Sequence, residues 1–211
     1  LCAIARGQGD NKKAKNIEAQ TFTMQILVGL AIMCLLYIVK KPALYLLGAS
    51  DITYGYANSY ISIYLIGTVF MMVGTGMNGF INLQGFPKIG MFSTMLGAAV
   101  NIVLDPVFIF VLGFGVWGAA VATVISQFCS ACFVTCFLFG RKVIIHITVA
   151  DMLKLDFKLL KEIVTLGMSG FIMAATNCAV QAVCNATLSV HGGDIYIGIM
   201  TIINSVREMI S

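Results

Sequence analysis

The sequence predicts an all-α protein, a polytopic bundle of transmembrane helices, and three observations support this fold class. Of its 211 residues, 59% are hydrophobic and only 10% are charged, whereas soluble domains carry about 45–50% apolar and about 25% charged residues. The mean hydropathy is +0.95. Several uncharged stretches also reach the length of about 20 residues that a helix needs to cross a bilayer. These values argue against a water-soluble globule and against a disordered chain.

Five complete membrane spans and part of a sixth follow from where charged residues and turn signals fall. Two lysines and a proline (40–42) end the first span, and Pro87 with Lys88 precedes the third. A GFG turn (113–115) separates the third span from the fourth. An HGGD turn (191–194) separates the fifth from the sixth, which the sequence leaves unfinished. The predicted spans are 21–39, 52–87 with a hydrophobic centre at 60–80, 89–112, 116–139 and about 163–190.

The basic residues predict the orientation of the spans. Ten of the thirteen lysines and arginines precede the first span or lie between spans two and three or spans four and five. These three segments share one side of the membrane, which the positive-inside rule assigns to the cytoplasm. The charge is therefore interpreted as a topology signal and not as a nucleic-acid-binding patch. The sequence predicts a multi-pass protein of the bacterial plasma membrane, with the lipid bilayer as its partner.

The segment between the fourth and fifth spans has its own pattern. Over 148–162, lysines alternate with leucine, methionine and phenylalanine, which is typical of a short interfacial helix with its lysines toward the headgroups. Asp156 is predicted to be the N-cap of the helix that continues into the fifth span.

Sequence motifs for enzymatic or cofactor chemistry are missing. Cys129 and Cys132 form a CxxC pair, but they lie in an apolar stretch with no second pair and no nearby histidine. The pair is therefore interpreted as apolar filling of a lipid-embedded helix. There is no Walker-type loop and no credible Ser-His-Asp set. The sequence predicts neither an enzyme nor a cofactor.

A polar group inside the third span is the main functional signal. Asn101 and Asp105 are four residues apart and share one helix face with Gly97. A carboxylate deep in a span costs about 2.5–3.5 kcal/mol on insertion scales, so Asp105 needs a basic partner, a cation or a proton. Arg207 in the sixth span is the one candidate basic partner. Pro106 removes a helix hydrogen bond and is predicted to bend the helix beside Asp105.

Other intramembrane polar residues leave two interpretations open. Asn78 and Asn82, near the cytoplasmic end of the second span, either face a cavity or cap the helix. Asn177 and Gln181 belong to a stripe on the fifth span that either lines a substrate cavity or hydrogen-bonds a neighbouring helix; the stripe continues to Asn185. Thr123, Ser126 and Gln127 lie near a ridge of small residues on the fourth span.

Two long stretches resemble the multidrug and toxic compound extrusion (MATE) family, in its prokaryotic DinF-like branch. They are NGFINLQGFPKIGM (78–91) and GAAVNIVLDPVFIFVLGFGVWGAAVATVISQ (97–127). The resemblance implies a fold of two six-helix lobes, of which this chain is a fragment. It implies amino-terminal-lobe helices three to six at 1–140, a cytoplasmic inter-lobe connection with an interfacial helix at 141–162, and the incomplete helices seven and eight of the carboxy-terminal lobe at 163–211.

The resemblance also implies a cation site in the amino-terminal lobe. The helix-five Asn and Asp of the family's site match Asn101 and Asp105, and its helix-six Thr matches Thr123. Na⁺ or H⁺ would be the coupling ion, and a Na⁺ at Asp105 would be the only metal. Many relatives carry an Arg shortly before the Gly that matches Gly85, where this chain has Asn82, so a role tied to that Arg does not transfer.

These features together predict a secondary active antiporter. Entry of Na⁺ or H⁺ would drive export of amphipathic or cationic drugs or metabolites, and the full-length transporter is predicted to be monomeric. Two alternatives stay open. A lipid-linked saccharide flippase of the same superfamily would need cationic residues in the cavity, and the first five spans carry none. A channel or a structural membrane subunit is the other.

Overall fold

A computed structural model of the chain describes residues 1–47, 49–140, 143–152 and 156–210, and the secondary-structure elements among them are helical. This confirms the predicted all-α class. The basic residues Arg141, Lys142 and Lys154 lie outside the described residues. The elements are α1 (Cys2–Gly7), α2 (Asn11–Leu46), α3 (Tyr54–Leu83), α4 (Pro87–Pro106), a π-helical segment (Val107–Val111), α5 (Gly115–Leu138), α6 (Val149–Met152) and α7 (Phe157–Ile210).

Five of the described helical stretches are long and apolar enough to cross a membrane. They are α2, α3, α4 with the π-helical segment, α5, and the 157–188 part of α7. With 36 residues, α2 is about 54 Å long at about 1.5 Å per residue, whereas the hydrocarbon layer is only about 30 Å thick. Three lysines lie in its first two turns. The first ten residues of α2 thus precede the predicted first span and belong to the predicted cytoplasmic side.

The chain forms two compact units, Leu1–Ile38 with Ser59–Thr165, and Val39–Asn58 with Leu166–Ser211. In the first unit, α5 packs closely on two other helices through small residues. A Cβ atom added to Gly74 of α3 would lie 3.5 Å from Ala131 Cα, and one on Gly97 of α4 would lie 3.3 Å from Ser130 Cβ. Such contacts let helix backbones approach closely in lipid. Along the predicted ridge on α5, Gly118, Ala122 and Ser126 are buried.

Three separate chain segments meet at one end of the first unit. Arg6 donates a hydrogen bond to the carbonyl of Leu83, and Leu159 packs in a buried cluster with Cys2 and Ala5. The segment before the first span, the α3–α4 turn and the connection before α7 are therefore neighbours. This agrees with the predicted cytoplasmic side, where the basic residues of these segments collect.

The turns differ in how well the sequence predicts them. The GFG turn is confirmed, since Gly113 (φ 67°) and Gly115 (φ 55°) adopt the left-handed backbone that favours glycine. The predicted interfacial helix over 148–162 is interrupted: α6 ends at Met152, and α7 begins at Phe157. Asp156 is the confirmed N-cap of α7, accepting the backbone N–H of Lys158 at 2.9 Å. A residue that caps a new helix does not continue the previous one.

Helix α7 departs from the predicted turn at 191–194. Helical residues run through this segment, so the structure shows no break in the helix at the predicted HGGD turn. Glycine costs only about 1 kcal/mol in a helix, and helical hydrogen bonds satisfy the backbone in lipid. Asn204 nevertheless donates to Gln181 Oε1 at 3.1 Å. Because 23 residues of straight helix span about 35 Å, the chain reverses direction between these two residues, which agrees with the reversal predicted at 191–194.

Candidate cation site

The centre of the candidate site is a hydrogen-bonded pair on α4. Asn101 Nδ2 donates to Asp105 Oδ1 at 3.2 Å, and both side chains are half-buried. The four-residue spacing places them one helical turn apart on the same face, as the sequence predicts. Because the amide nitrogen faces the carboxylate, the carbonyl oxygen of Asn101 and the carboxylate oxygens are the atoms that can bind a hard cation.

The neighbouring helix α5 contributes Thr123. Its hydroxyl donates to the carbonyl of Ala119 at 2.9 Å, which leaves the hydroxyl oxygen able to accept or to coordinate through its lone pairs. Thr123 and Asn101 line the same open groove of about 300 Å³. Asp105 is not among the residues that line this groove and is connected to it through Asn101. The lining residues are Thr94, Gly97, Ala98, Asn101, Thr123, Ser126, Gln127 and Ser130.

Gln127 is a groove residue that the sequence placed on the fourth span without a role. It lies one turn beyond Thr123, and its side chain covers Gly67 of α3, where any Cβ atom would collide with Gln127 Oε1. That oxygen is buried and accepts no hydrogen bond from the part of the chain that the structure describes. The sequence signal for this residue is its four-residue spacing from Thr123, which predicts that the two share a helix face. An unsatisfied buried acceptor favours a ligand that carries a donor or positive charge.

Pro106 stands where the helix changes type. It ends α4, and the next five residues form the π-helical segment, in which Leu112 N–H donates to the carbonyl of Val107 at 2.9 Å. Proline removes one regular hydrogen bond, and π-helical segments are frequent at functional sites. The structure thus places a helix irregularity directly beside Asp105.

The remaining predicted residues are not among those that line this groove. Asn78 Nδ2 donates to the carbonyl of Gly90 at 3.1 Å, and the side-chain oxygens of Asn78 and Asn82 both crowd the place of a Cβ atom on Gly90. Asn78 therefore links α3 to α4 by a hydrogen bond, and Asn82 lies beside the same glycine of α4. In the second unit Asn177 is exposed, whereas Gln181 accepts from Asn204 and Asn185 donates to the carbonyl of Leu47 at 3.4 Å.

Comparison with known proteins identifies the family. The MatE family model matches residues 1–107, slightly more than half of the chain. The chain belongs to the MatE family. It is therefore a multi-pass protein of the cell membrane, in agreement with its five apolar helices. The match does not distinguish branches of the family, so the DinF-like assignment stays a prediction.

Curated relatives of this MatE chain include export proteins. It is 24% identical over 186 residues to the multidrug export protein MepA of Staphylococcus aureus (strain bovine RF122 / ET3-1), covering 88% of this chain and 41% of the relative. The protein of the same name from Staphylococcus saprophyticus gives the same figures. The chain thus spans about two fifths of the length of the curated relatives it matches.

Solved structures of transporters share the fold. A multidrug resistance MATE family transporter of the MOP superfamily, in its inward-facing conformation, is 26% identical with a TM-score of 0.87, over 95% of this chain and 46% of that one. A MOP superfamily transporter from Pyrococcus furiosus is also 26% identical, with a TM-score of 0.84 over 98% of this chain and 46% of its own. These relatives are transporters and not enzymes.

Proposed function

We propose that this MatE chain is part of a secondary active exporter, in which inward movement of Na⁺ or H⁺ drives expulsion of amphipathic or cationic drugs or metabolites. The observation that carries the proposal is the hydrogen-bonded pair of Asn101 and Asp105, whose asparagine shares a groove with Thr123. The names of the Staphylococcus relatives support the substrate class. No cofactor is required, since the ion gradient supplies the energy.

The donor set favours a monovalent cation or a proton. A carboxylate in a membrane-spanning helix is costly, and among the described residues no lysine or arginine forms an ion pair with Asp105. The side chain of Arg207, the basic partner considered from the sequence, lies outside the described residues. One carboxylate with neutral oxygens from Asn101 and Thr123 provides hard ligands. The described residues contain no cluster of three His, Cys, Asp or Glu suited to a metal ion.

Pro106 and the π-helical segment supply the element that responds to the ion. Ion binding drives transport only if it favours one conformation of the protein over another. The helix that carries Asp105 changes from α to π geometry directly after Pro106. A change in the charge of Asp105 therefore acts on a helix that already departs from regular hydrogen bonding, and we propose that its bend differs between the occupied and empty states.

The test is substrate accumulation by the full-length protein in liposomes with an imposed Na⁺ or pH gradient. Asp105→Asn should abolish gradient-driven accumulation while expression and folding stay normal. Asp51→Asn makes the same change in the turn between α2 and α3 and should leave transport intact. Unchanged transport by Asp105→Asn would contradict the role of Asp105. Substrate flux without accumulation against a gradient would favour the channel alternative.

Thr123 distinguishes the two ions. Na⁺ needs the hydroxyl oxygen as a ligand, whereas protonation of Asp105 does not. With Na⁺ coupling, Thr123→Val should raise the half-saturating Na⁺ concentration roughly tenfold or more, about 1.4 kcal/mol of binding energy, and Thr123→Ser should restore it. With H⁺ coupling, both variants should keep pH-driven transport. Loss of transport in both Thr123 variants under both gradients would contradict a ligand role.

A further inference from the structure

A buried polar pair lies outside the proposed cation site, at the predicted cytoplasmic end of the first unit. Glu18 of α2 is 0% exposed, and Gln84, one residue after α3, is 2% exposed. Glutamate is almost never fully buried unless it is paired. Among the described residues, Glu18 has no lysine or arginine within ion-pair distance. Its partner is the neutral amide of Gln84.

Gln84 uses both ends of its amide. Its Nε2 donates to Glu18 Oε1 at 3.0 Å and to Glu18 Oε2 at 3.1 Å. Its Oε1 accepts the backbone N–H groups of Ile144 and Ile145 at 3.1 and 3.2 Å. The two N–H groups can bond only to the acceptor Oε1, so Nε2 is directed at Glu18, whose carboxyl oxygens accept from it.

Those two N–H groups belong to the connection between α5 and α7, of which residues 143–152 are described. Val143, Ile145 and Ile147 are buried, whereas the intervening Ile144 and His146 are exposed. Side chains that alternate in this way belong to an extended segment lying on an apolar surface. The buried members of the connection join two hydrophobic clusters with residues of α2, α3, α5 and the amino-terminal segment.

Two further polar contacts hold the same connection to α2. Lys15 Nζ lies 2.8 Å from Asp151 Oδ2. The hydroxyl of Thr23 donates to the carbonyl of Met152 at 3.0 Å. Lys15 and Thr23 thus contact the connection directly, and Glu18, which lies between them in sequence, is joined to it through Gln84. The connection is therefore packed on the first unit along its described length.

We infer that Glu18 and Gln84 are positioning residues that fix the connection 143–152 to the amino-terminal helices, so that both move as one body during the transport cycle. The shared movement during a transport cycle rests on the proposed function. The attachment of the connection to the helices does not rest on it and is measured without transport.

Hydrogen–deuterium exchange of the full-length protein in lipid nanodiscs tests the attachment, because the Ile144 and Ile145 amides donate to Gln84. Gln84→Ala should raise exchange of these amides roughly tenfold or more, the effect expected when hydrogen bonds of ordinary strength are lost. Glu18→Leu should also raise it, since Gln84 loses its orientation. The double variant should add little, because Glu18 acts through Gln84. Glu18→Gln should restore most protection, since its amide oxygen can accept from Gln84.

Matched controls repeat the substitutions at exposed positions. Gln8→Ala and Glu162→Leu should leave exchange over 143–147 unchanged. Unchanged exchange in Gln84→Ala, with α5 still protected, would overturn the inference, as would full additivity of the two variants. If Gln84→Ala does not fold, exchange in Glu18→Gln and Glu18→Leu decides, and equal exchange in these two overturns it. Asp105→Asn should not change this exchange, so failure of the proposed function leaves the attachment separately measurable.

Discussion

The carbonyl oxygen of Phe108 lies 2.8 Å from the place where a Cβ atom on Gly118 would be. The π-helical segment therefore packs its backbone directly on α5. Phe108 follows Asp105 by one turn, and Gly118 precedes Thr123 by little more than one turn. This contact sets the position of the helix that carries Asp105 relative to the helix that carries Thr123.

We expect Gly118→Ala to be destabilising in spite of the better helix propensity of alanine. The added methyl group would meet Phe108 O at 2.8 Å and Phe108 C at 2.9 Å, and a backbone cannot rotate away as a side chain can. Overpacking of this kind costs about 1–3 kcal/mol. Thermal unfolding of the purified full-length protein should show a lower Tm. Transport should need a higher ion concentration, since Asp105 and Thr123 move apart.

Gly79→Ala is the matched control for this substitution. Gly79 lies in α3, and a Cβ atom there would have no neighbour within 4 Å. Alanine should leave stability unchanged or raise it by up to about 1 kcal/mol, the helix propensity difference. Equal melting temperatures for the Gly118 and Gly79 variants would contradict the packing role of Gly118.

The sequence predicts those parts of the fold that depend on local composition. Charge-free stretches define the membrane helices, and the two glycines of the GFG turn mark a true chain reversal. The π-helical segment has no such signal beyond Pro106. Local sequence patterns also do not predict the attachment of the connection, because Glu18 and Gln84 are 66 residues apart. Contacts of that range depend on how helices pack.

The candidate site also contains residues that local spacing predicts and residues that it does not predict. The four-residue spacing of Asn101 and Asp105 predicts a shared helix face, and the structure joins them by a hydrogen bond. The role of Thr123 is implied by the resemblance to the family, since nothing in its spacing to Asn101 indicates a common groove. For Asn78 and Asn82 the sequence pattern alone does not decide the role. Their pattern fits a cavity as well as a helix cap, whereas in the structure Asn78 donates to the carbonyl of Gly90 on α4 and Asn82 lies beside the same glycine.

Asp151 should stay ionised at a lower pH than an ordinary aspartate does. The hydrogen bonds from Lys15 and from the hydroxyl of Thr148 lower the pKa of this carboxyl from its ordinary value of 3.8 to about 2. Because the folded-state pKa is the lower one, the stabilising effect is complete above pH 4 and is lost as the pH falls through 2. Carbon-detected NMR titration of the Asp151 carboxyl in the full-length protein measures this pKa directly.

Lys15→Gln should raise the pKa of Asp151 toward its ordinary value, since the strongest of its hydrogen bonds is weakened. Lys13→Gln removes an exposed lysine two residues earlier and should leave that pKa almost unchanged, because exposed charges are screened by solvent. An equal effect of the two substitutions would contradict the direct contact between Lys15 and Asp151.

The bend in α7 predicts a short distance between residues on its two sides. Spin labels at positions 180 and 203, next to the hydrogen-bonded pair and on a background in which the seven native cysteines are replaced, should lie within about 20 Å of each other, whereas a straight helix would separate them by about 35 Å. Labels at Leu166 and Thr187, 21 residues apart in the first part of α7, serve as the control and should give about 32 Å. The short distance is expected because Asn204 donates to Gln181 at 3.1 Å. A distance near 35 Å for the first pair would show that α7 is straight and that this hydrogen bond does not form in the membrane.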